Sequence, residues 1–583
     1  MLLASSAQTS LSIGFIEGSL TLVAAAIAFA WPTLGASRFA RIERVFCKLS
    51  KRKTLSVFLV GLSVIVLRLA LLPVRPIPLP FVPDDFSFLL AADTFAHGRL
   101  TNPTPAMWVH FESFHIDMKP TYMSMYFPGP GLVLAAGKVL FGHPWFGLLI
   151  ANALMCAAIC WALQAWLPPA WALLGGFIAV IRISLFSYWI DTYTGGGAIA
   201  ALGGALVLGA LPRLMRSAQS RDAVLMALGI VMLVYTRPYE GMLLCLPVAV
   251  ALGHWLIKDK KRPNNLILLK RATGALVLLI AATAWLGYYD YRAFGNPLTL
   301  PYTVNRTTYG IAPYFVWQSP RPEPAYHHES MRNLYYNKEF AYYKLIHSPA
   351  GFLREAPDKI VTGVVFFTGL ALIPPIFMLR RVILDRRIQF LVLCMLTLMA
   401  GMAIEVFLVP HYLAVFTSVF YAIGLQAMRH LRLWRPEGHA VGLTLVRACV
   451  SICLIMACVR LFDRPLKISI PEWPPSEWNW EWYGPDHFGT ERAKVEQELQ
   501  SIPWGQLVLV RYAPNHYPFD DWVYNAADLN DSKVIWAREM DAASNQELIR
   551  YYKNRHVWLV EPDTQPVKVT PYPSAMQRTS AYQ

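Results

Sequence analysis

The chain has 583 residues, of which 55% are hydrophobic and 15% charged, with a formal net charge of +15. Soluble domains carry about 25% charged residues and cores that stop growing near 250–300 residues, so this much apolar surface excludes a single soluble globule. The 19 Trp, 27 Tyr and 30 Phe exclude a disordered chain. The basic residues lie between long apolar runs, so the positive charge reads as membrane topology, and no nucleic-acid partner is expected.

A membrane-crossing helix needs about 20 apolar residues. About twelve candidate runs occur, at 11–31, 55–75, 145–165, 169–187, 195–211, 222–236, 239–257, 268–289, 360–379, 388–408, 411–429 and 442–461. The first has no basic segment before it and reads as a span, not a cleavable signal. Basic loops follow alternate runs, beginning with Arg38, Arg41, Arg44, Lys48, Lys51, Arg52 and Lys53 and ending with Arg429, Arg432, Arg435 and Arg447. The positive-inside rule makes these loops cytoplasmic and leaves both termini outside. Residues 76–143, residues 290–359 and the tail from about 462 then also face outward. Loops this long are more often functional than idle. Seven of the eight cysteines fall in expected spans, Cys47 falls in a basic loop, and no CxxC pair occurs. Neither a zinc module nor a disulfide-stapled exterior is expected on this pattern.

The expected fold is mainly α: a polytopic helical membrane domain, 1–461, followed by a soluble extracytoplasmic α/β domain, 462–583. Within the first outer loop, residues 127–141 (FPGPGLVLAAGKVLF) are short for a span and precede the turn Gly142-His143-Pro144. They read as a juxtamembrane helix, the alternative being the start of a long kinked span. In the tail, helices are expected at 489–501 and 545–555, and strands at 507–511 (LVLVR), 534–537 (VIWA) and 557–561 (VWLVE). No glycine-rich phosphate loop follows any of these strands.

The strongest local chemical signal is Pro83-Asp84-Asp85-Phe86, just outside the second run. Adjacent carboxylates at a membrane boundary suit a general base or a divalent cation. They suit equally the acidic first turn of an interfacial helix. Further along the same loop comes His115-Ile116-Asp117-Met118-Lys119-Pro120, and then the juxtamembrane helix. In order and spacing these elements resemble the GT-C superfamily of membrane glycosyltransferases, in particular the protein O-mannosyltransferase and lipid A aminoarabinose transferase group. There the first outer loop opens with an acidic pair and runs through an interfacial helix to a Lys-Pro motif and a second interfacial helix. The resemblance puts Asp84 on the first acidic position and Lys119-Pro120 on the Lys-Pro motif. It puts Asp191, in Ser187–Gly197 (SYWIDTYTGGG), on a second acidic position in the next outer loop. The tail and the N-terminal span depart from the simplest members.

The resemblance implies inverting transfer of a sugar from a polyprenyl-phosphate donor to a hydroxyl of a glycan, lipid or protein acceptor. The setting implied is a bacterial inner membrane, with the outer loops and tail in the periplasm. Asp84 would be the base and Asp85 its neighbour, while Asp191 would stabilise the oxocarbenium-like centre. The departing lipid phosphate needs cations, for which Arg68, Lys119, Arg182 and Arg237 are the candidates. Arginine at membrane depth is costly and reads as functional, although snorkelling to headgroups is the plain alternative. Glu240 and Glu405, with His411 and Tyr412, fall in or near the stretches Thr236–Gly241 (TRPYEG) and Pro410–Tyr412, as supporting or acceptor-contacting groups. A divalent cation such as Mg or Mn is not required by the sequence; Asp84 and Asp85 would hold one. A transporter or flippase of a lipid-linked or anionic substrate, and a non-catalytic envelope scaffold, are the competing readings. His327-His328 and the tail residues His516, Asp520 and Asp521 are weaker signals, the last three expected on the solvated surface.

Overall fold

The computed structural model describes residues 13–194, 196–260, 262–466, 468 and 489–572. Among the described residues, eight helices are long and apolar enough to cross a membrane. They begin with α1 (Ile13–Ala30) and, after the basic amphipathic α2 (Ala36–Ser50), α3 (Lys53–Leu71). The first outer loop then supplies α4 (Pro83–Ala96) and α5 (Pro128–Phe141), and α6 (Pro144–Trp166) returns to the membrane. The remaining five are Gly196–Ser217, Pro238–Lys258, Asn265–Phe294, Pro410–Arg432 and Val441–Leu461.

The other four expected runs lie on shorter or interrupted helices. Pro169–Ala179 loosens into a π turn at Val180–Ser184, Ser220–Val234 has 15 residues and Gln389–Ile404 has 16. The run at 360–379 is broken: Pro349–Thr368 stops at Gly369, whose φ is 58°, and a 3-10 turn starts at Pro374. Hydropathy sums across such a break, whereas Gly369 and the missing N–H groups of Pro374 and Pro375 end the helix. Helix α6, Gly196–Ser217 and Pro410–Arg432 form the buried centre of the bundle, and Asn265–Phe294 lies almost wholly exposed at its rim. Close approach is possible because Gly204 has no Cβ to meet the Val415 carbonyl.

In the first outer loop, short strands β1 (Asn102–Pro103), β2 (Ile116–Asp117) and β3 (Thr121–Ser124) pair antiparallel in the order β1-β3-β2. The tail carries a second sheet. Strand β4 (Gly505–Val510) lies between parallel neighbours β5 (Val534–Arg538) and β6 (Arg555–Glu561), in register Leu507 to Ile535 and Leu507 to Val557. Its near-continuous apolar run is what a strand covered on both faces requires. The antiparallel edge strand β7 (Lys568–Pro571) was not anticipated; it is short and half polar, and its Pro571 suits only an edge. Asp541 caps the helix Ala542–Tyr551 by accepting from the Ala543 and Ser544 amides. Loop and tail share one core: Leu90, Phe111, Ile116, Met118 and Tyr122 pack with Leu507, Leu509, Tyr524, Ile535 and Leu548.

Candidate functional site

Pro83 starts α4 after the extended Val82, so Asp84 and Asp85 fall in its first turn. Adjacent residues on a helix point in different directions, and these two carboxylates have different work. Asp85 is fully buried; its oxygens accept from the Phe81 amide at 3.2 Å and the Tyr193 amide at 2.7 Å. It therefore ties the start of α4 to the loop after Asp191. Burial, helped by the charge of Asp84, pushes its pKa up to about 7 against those two donors.

Asp84 keeps a partly exposed side chain, 27% accessible, and accepts a hydrogen bond from the Tyr126 hydroxyl. His115 Nδ1 lies 3.1 Å from that hydroxyl and 3.6 Å from the Asp84 carboxylate. Burial opposes the charge on Asp84, but His115 and the Tyr126 hydrogen bond outweigh it and hold the carboxyl well below the usual range. His115 occupies the left-handed region, φ 61°, a conformation that must be enforced by its surroundings. The Ser87 hydroxyl at 2.6 Å and the Met125 amide at 3.1 Å both donate to its carbonyl and pin it there.

A second group of residues lies within electrostatic range of the first. His411 interacts with Asp84 through space, and its Nδ1 and backbone amide sit 3.0 and 2.9 Å from the Tyr188 hydroxyl. Next to it, the Arg237 guanidinium lies over the Tyr412 ring at 4.1 Å and 3.6 Å from Glu240. Glu405 shares the field of Arg237 and Glu240. The second outer loop closes over this group: Tyr302 packs against Tyr126 at 5.5 Å and Phe127 at 5.4 Å, and Tyr314 against Tyr302 at 6.2 Å. Backbone bonds from Val406 to Tyr314 and from Val316 to Ile404 fasten that loop to the span end bearing Glu405.

Behind Glu405, Lys359 Nζ donates to the Glu405 carbonyl and reaches the Met402 carbonyl at 3.5 Å. Lys359 also stands at the wall of an apolar cavity of about 430 Å³, lined by Val364, Leu372, Met395, Met399, Leu413 and Phe420 among others.

Asp84, Arg237, Glu240, Glu405, His411 and Tyr412 thus come together. Arg68 and Asp191 form a neighbouring ion pair, linked to α4 through the Asp85–Tyr193 bond. Arg68 is 1% exposed, lies 5.7 Å from the Trp145 ring, and its Nε and Nη1 have no hydrogen-bond partner among the described residues. The other two proposed cations lie elsewhere. Arg182 Nη1 is 3.0 Å from Glu17 of α1, both buried, and Glu17 also accepts from the Ala371 amide at 3.2 Å. Lys119 is exposed and sits over the Trp108 ring at 4.0 Å.

The acidic pair offers a cation one open carboxylate and not two. Among the described residues no three His, Cys, Asp or Glu side chains cluster as a ligand set. His327 instead holds Glu112 at 2.9 Å, while His328 contacts the Val109 carbonyl at 2.7 Å, burial pushing the latter down to about 3. In the tail, Asp521 and His516 are buried and not solvated: Asp521 pairs with Arg538 at 2.6 Å and His516 with Asp563 at 2.7 Å. Sequence reasoning missed His115, Tyr126, Tyr302 and Lys359. His115 opens the motif that drew attention to Lys119-Pro120, yet it is the motif's first residue that reaches Asp84.

Neither a protein-family model nor a curated protein sequence matches the chain. Solved structures do. The chain is similar to ArnT from Cupriavidus metallidurans in the apo state, with 12% identity, TM-score 0.46, and coverage of 86% of this chain and 92% of that one. It is similar to the same protein bound to undecaprenyl phosphate, with 12% identity, TM-score 0.44 and the same coverage. It is also similar to the Archaeoglobus fulgidus oligosaccharyltransferase in the apo form, with 11% identity, TM-score 0.41, and coverage of 88% and 69%.

Proposed function

We propose that the protein is an integral membrane glycosyltransferase of the GT-C kind. It moves a sugar from a polyprenyl-phosphate carrier to an acceptor hydroxyl on the extracytoplasmic face, in a bacterial inner membrane. Residues 1–461 are its membrane domain and 462–583 its extracytoplasmic α/β domain. One observation carries this reading. A partly exposed, firmly ionised carboxylate, Asp84, stands within electrostatic range of His411, beside the stacked Arg237–Tyr412 pair. That pair borders, through Glu405 and Lys359, an apolar cavity inside the helix bundle.

The acceptor hydroxyl donates a hydrogen bond to Asp84 and attacks the anomeric carbon opposite the phosphate, so the new bond forms as the sugar–phosphate bond breaks and the configuration inverts. A carboxylate this acidic is a weak proton acceptor, so Asp84 orients and polarises the nucleophile and takes its proton late in the step. Negative charge growing on the lipid phosphate is met by Arg237, whose planar guanidinium is already aligned by Tyr412. Arg68, with two unpartnered nitrogens, is a second phosphate ligand, and Asp191 faces the positive anomeric centre. The apolar cavity takes the first isoprene units of the carrier. The undecaprenyl phosphate named for the ArnT complex and the dolichol-phosphate named for the archaeal enzyme are carriers of this class.

The test is transfer from a labelled polyprenyl-phosphate sugar in proteoliposomes. Asp84→Asn, which keeps the shape and removes the charge, is expected to lower turnover about 10²–10⁴-fold. A folded Asp84→Asn protein that transfers at the wild-type rate overturns the reading.

A further inference from the structure

Helix α4 has two working faces. Asp84 and Phe88, one turn apart, face the site: Asp84 meets the Tyr126 hydroxyl and the Phe88 ring stacks on Tyr126 at 4.2 Å. Phe86, Leu90 and Asp93 lie on the other side, and there the covering is not membrane helix but the tail. The Tyr524 ring lies flat on Phe86, 4.3 Å between centroids and 6° between planes. Arg492 lies over Phe86 at 4.7 Å and donates to the carbonyls of Trp522 at 2.9 Å and Tyr524 at 3.1 Å, holding that segment against the helix.

The far end of α4 is fastened as well. Asp93 accepts from the Ala527 amide at 2.8 Å and from Lys138 of α5 at 2.5 Å. Arg99 makes a two-pronged pair with Asp528, both bonds 2.8 Å. Ser113 and Tyr122 donate to the carbonyls of Val523 and Asn525, so the same seven residues, Trp522–Asp528, also grip the loop that carries His115. A 14-residue helix is marginal by itself. Its position is therefore set by whatever covers its two faces.

We propose that Trp522–Asp528 is a positioning brace for the helix that bears Asp84, with Tyr524 as its central residue. The C-terminal domain, more than 400 residues away in sequence, thereby sets where the carboxylate stands relative to Arg237 and Tyr412. This rests on the reading of Asp84 as the acceptor-activating group. Tyr524 acts through its ring: it is 4% exposed, and its hydroxyl has no hydrogen-bond partner among the described residues. The brace touches the acid's helix and not the donor's cation or cavity, so its loss falls on turnover and spares donor binding.

The experiment compares full-length wild type, Tyr524→Leu and Tyr524→Phe in nanodiscs, reading kcat and donor KM for transfer and amide hydrogen exchange across residues 84–90. Displacing a reacting group by about 1 Å costs on the order of 10²-fold, so Tyr524→Leu is expected to lose about 10–100-fold in kcat with KM unchanged, and its α4 amides to exchange faster. Tyr524→Phe, which keeps the stacked ring, is expected to stay within about twofold of wild type. Asp93→Asn, a milder lesion at the other end of the helix, is expected to speed exchange at the α4 C-terminus and lower kcat by a smaller factor. Unchanged exchange and kcat in Tyr524→Leu, faster exchange without loss of kcat, or equal loss in Tyr524→Phe each overturn the brace. If wild type transfers no sugar while Tyr524→Leu loosens α4, the glycosyltransferase reading fails and the brace on α4 stands.

Discussion

Arg182 and Arg237 are both buried guanidinium groups at the ends of membrane helices, yet their surroundings are opposite in kind. Arg182 meets one carboxylate, Glu17, at 3.0 Å, and that carboxylate is also held by the Ala371 amide. Gly369 lies so close to the guanidinium that a Cβ there would have no room. Charge and shape are matched inside the packed bundle. Arg237 is held by the Tyr412 face and by a 3.6 Å pair with Glu240, among tyrosines and acids contributed by separate loops. A tightly matched buried pair joins helices; a stacked cation with a loose ion pair can turn toward an incoming anion. Burial of an arginine therefore says little about function until its partner's hold is known.

The comparison can be broken by substitution. Of the two arginines, Arg237→Ala should have the larger effect on transfer, with a loss of about 10²–10³-fold in kcat/KM per folded molecule, because a cation aimed at developing charge is worth several kcal/mol. Arg182→Leu should do the reverse. Leaving Glu17 buried and unpaired is expected to cost about 3–5 kcal/mol of stability in detergent unfolding, with the transfer rate per folded molecule retained. The double change Glu17→Leu with Arg182→Leu should recover much of that loss, which a donor-binding role for Arg182 would not allow.

A smaller effect tests the ionisation of Asp84. Its folded pKa is depressed, so in wild type the acidic limb of kcat/KM falls below the usual carboxylate range. His115→Ala removes the largest favourable partner, and the limb should rise by about one pH unit toward an ordinary aspartate. Activity near pH 2–3 then falls while activity near pH 7.5 stays. Smallest of all, Lys119→Ala should change transfer by less than about twofold and stability by less than about 0.5 kcal/mol, as for an exposed side chain away from the chemistry.

The fold was legible wherever one segment carried its own signal. The strands LVLV, VIWA and VWLV announced a buried sheet by composition, and Phe127–Phe141 announced a short helix by length and by the Gly142 turn. The span at 360–379 misled because hydropathy does not register a helix ended by Gly369. In the site, the acidic pair and the order of motifs around it were visible, but the division of labour between Asp84 and Asp85 was not. That division depends on the Tyr193 amide, 108 residues away in sequence, and on a strained His115. Arg182 looked like Arg237 because its partner lies 165 residues earlier, in the first span. Long-range pairing decides which charged residue is free to act, and no local pattern records it.

The Glu17–Arg182 pair also bears on how the chain is made. Helix α1 enters the bilayer early, carrying a carboxyl whose counter-ion has yet to be synthesised. An unpaired ionisable side chain within a membrane helix is costly, and although Glu17 lies in the second turn of α1, hydrophobicity must offset that cost until Arg182 arrives. The pairing of Glu17 with Arg182 therefore cannot form until the segment bearing Arg182, 165 residues further on, has been made. Final docking of α1 is in this sense a late event in biogenesis, completed only when the residue that neutralises Glu17 has left the ribosome.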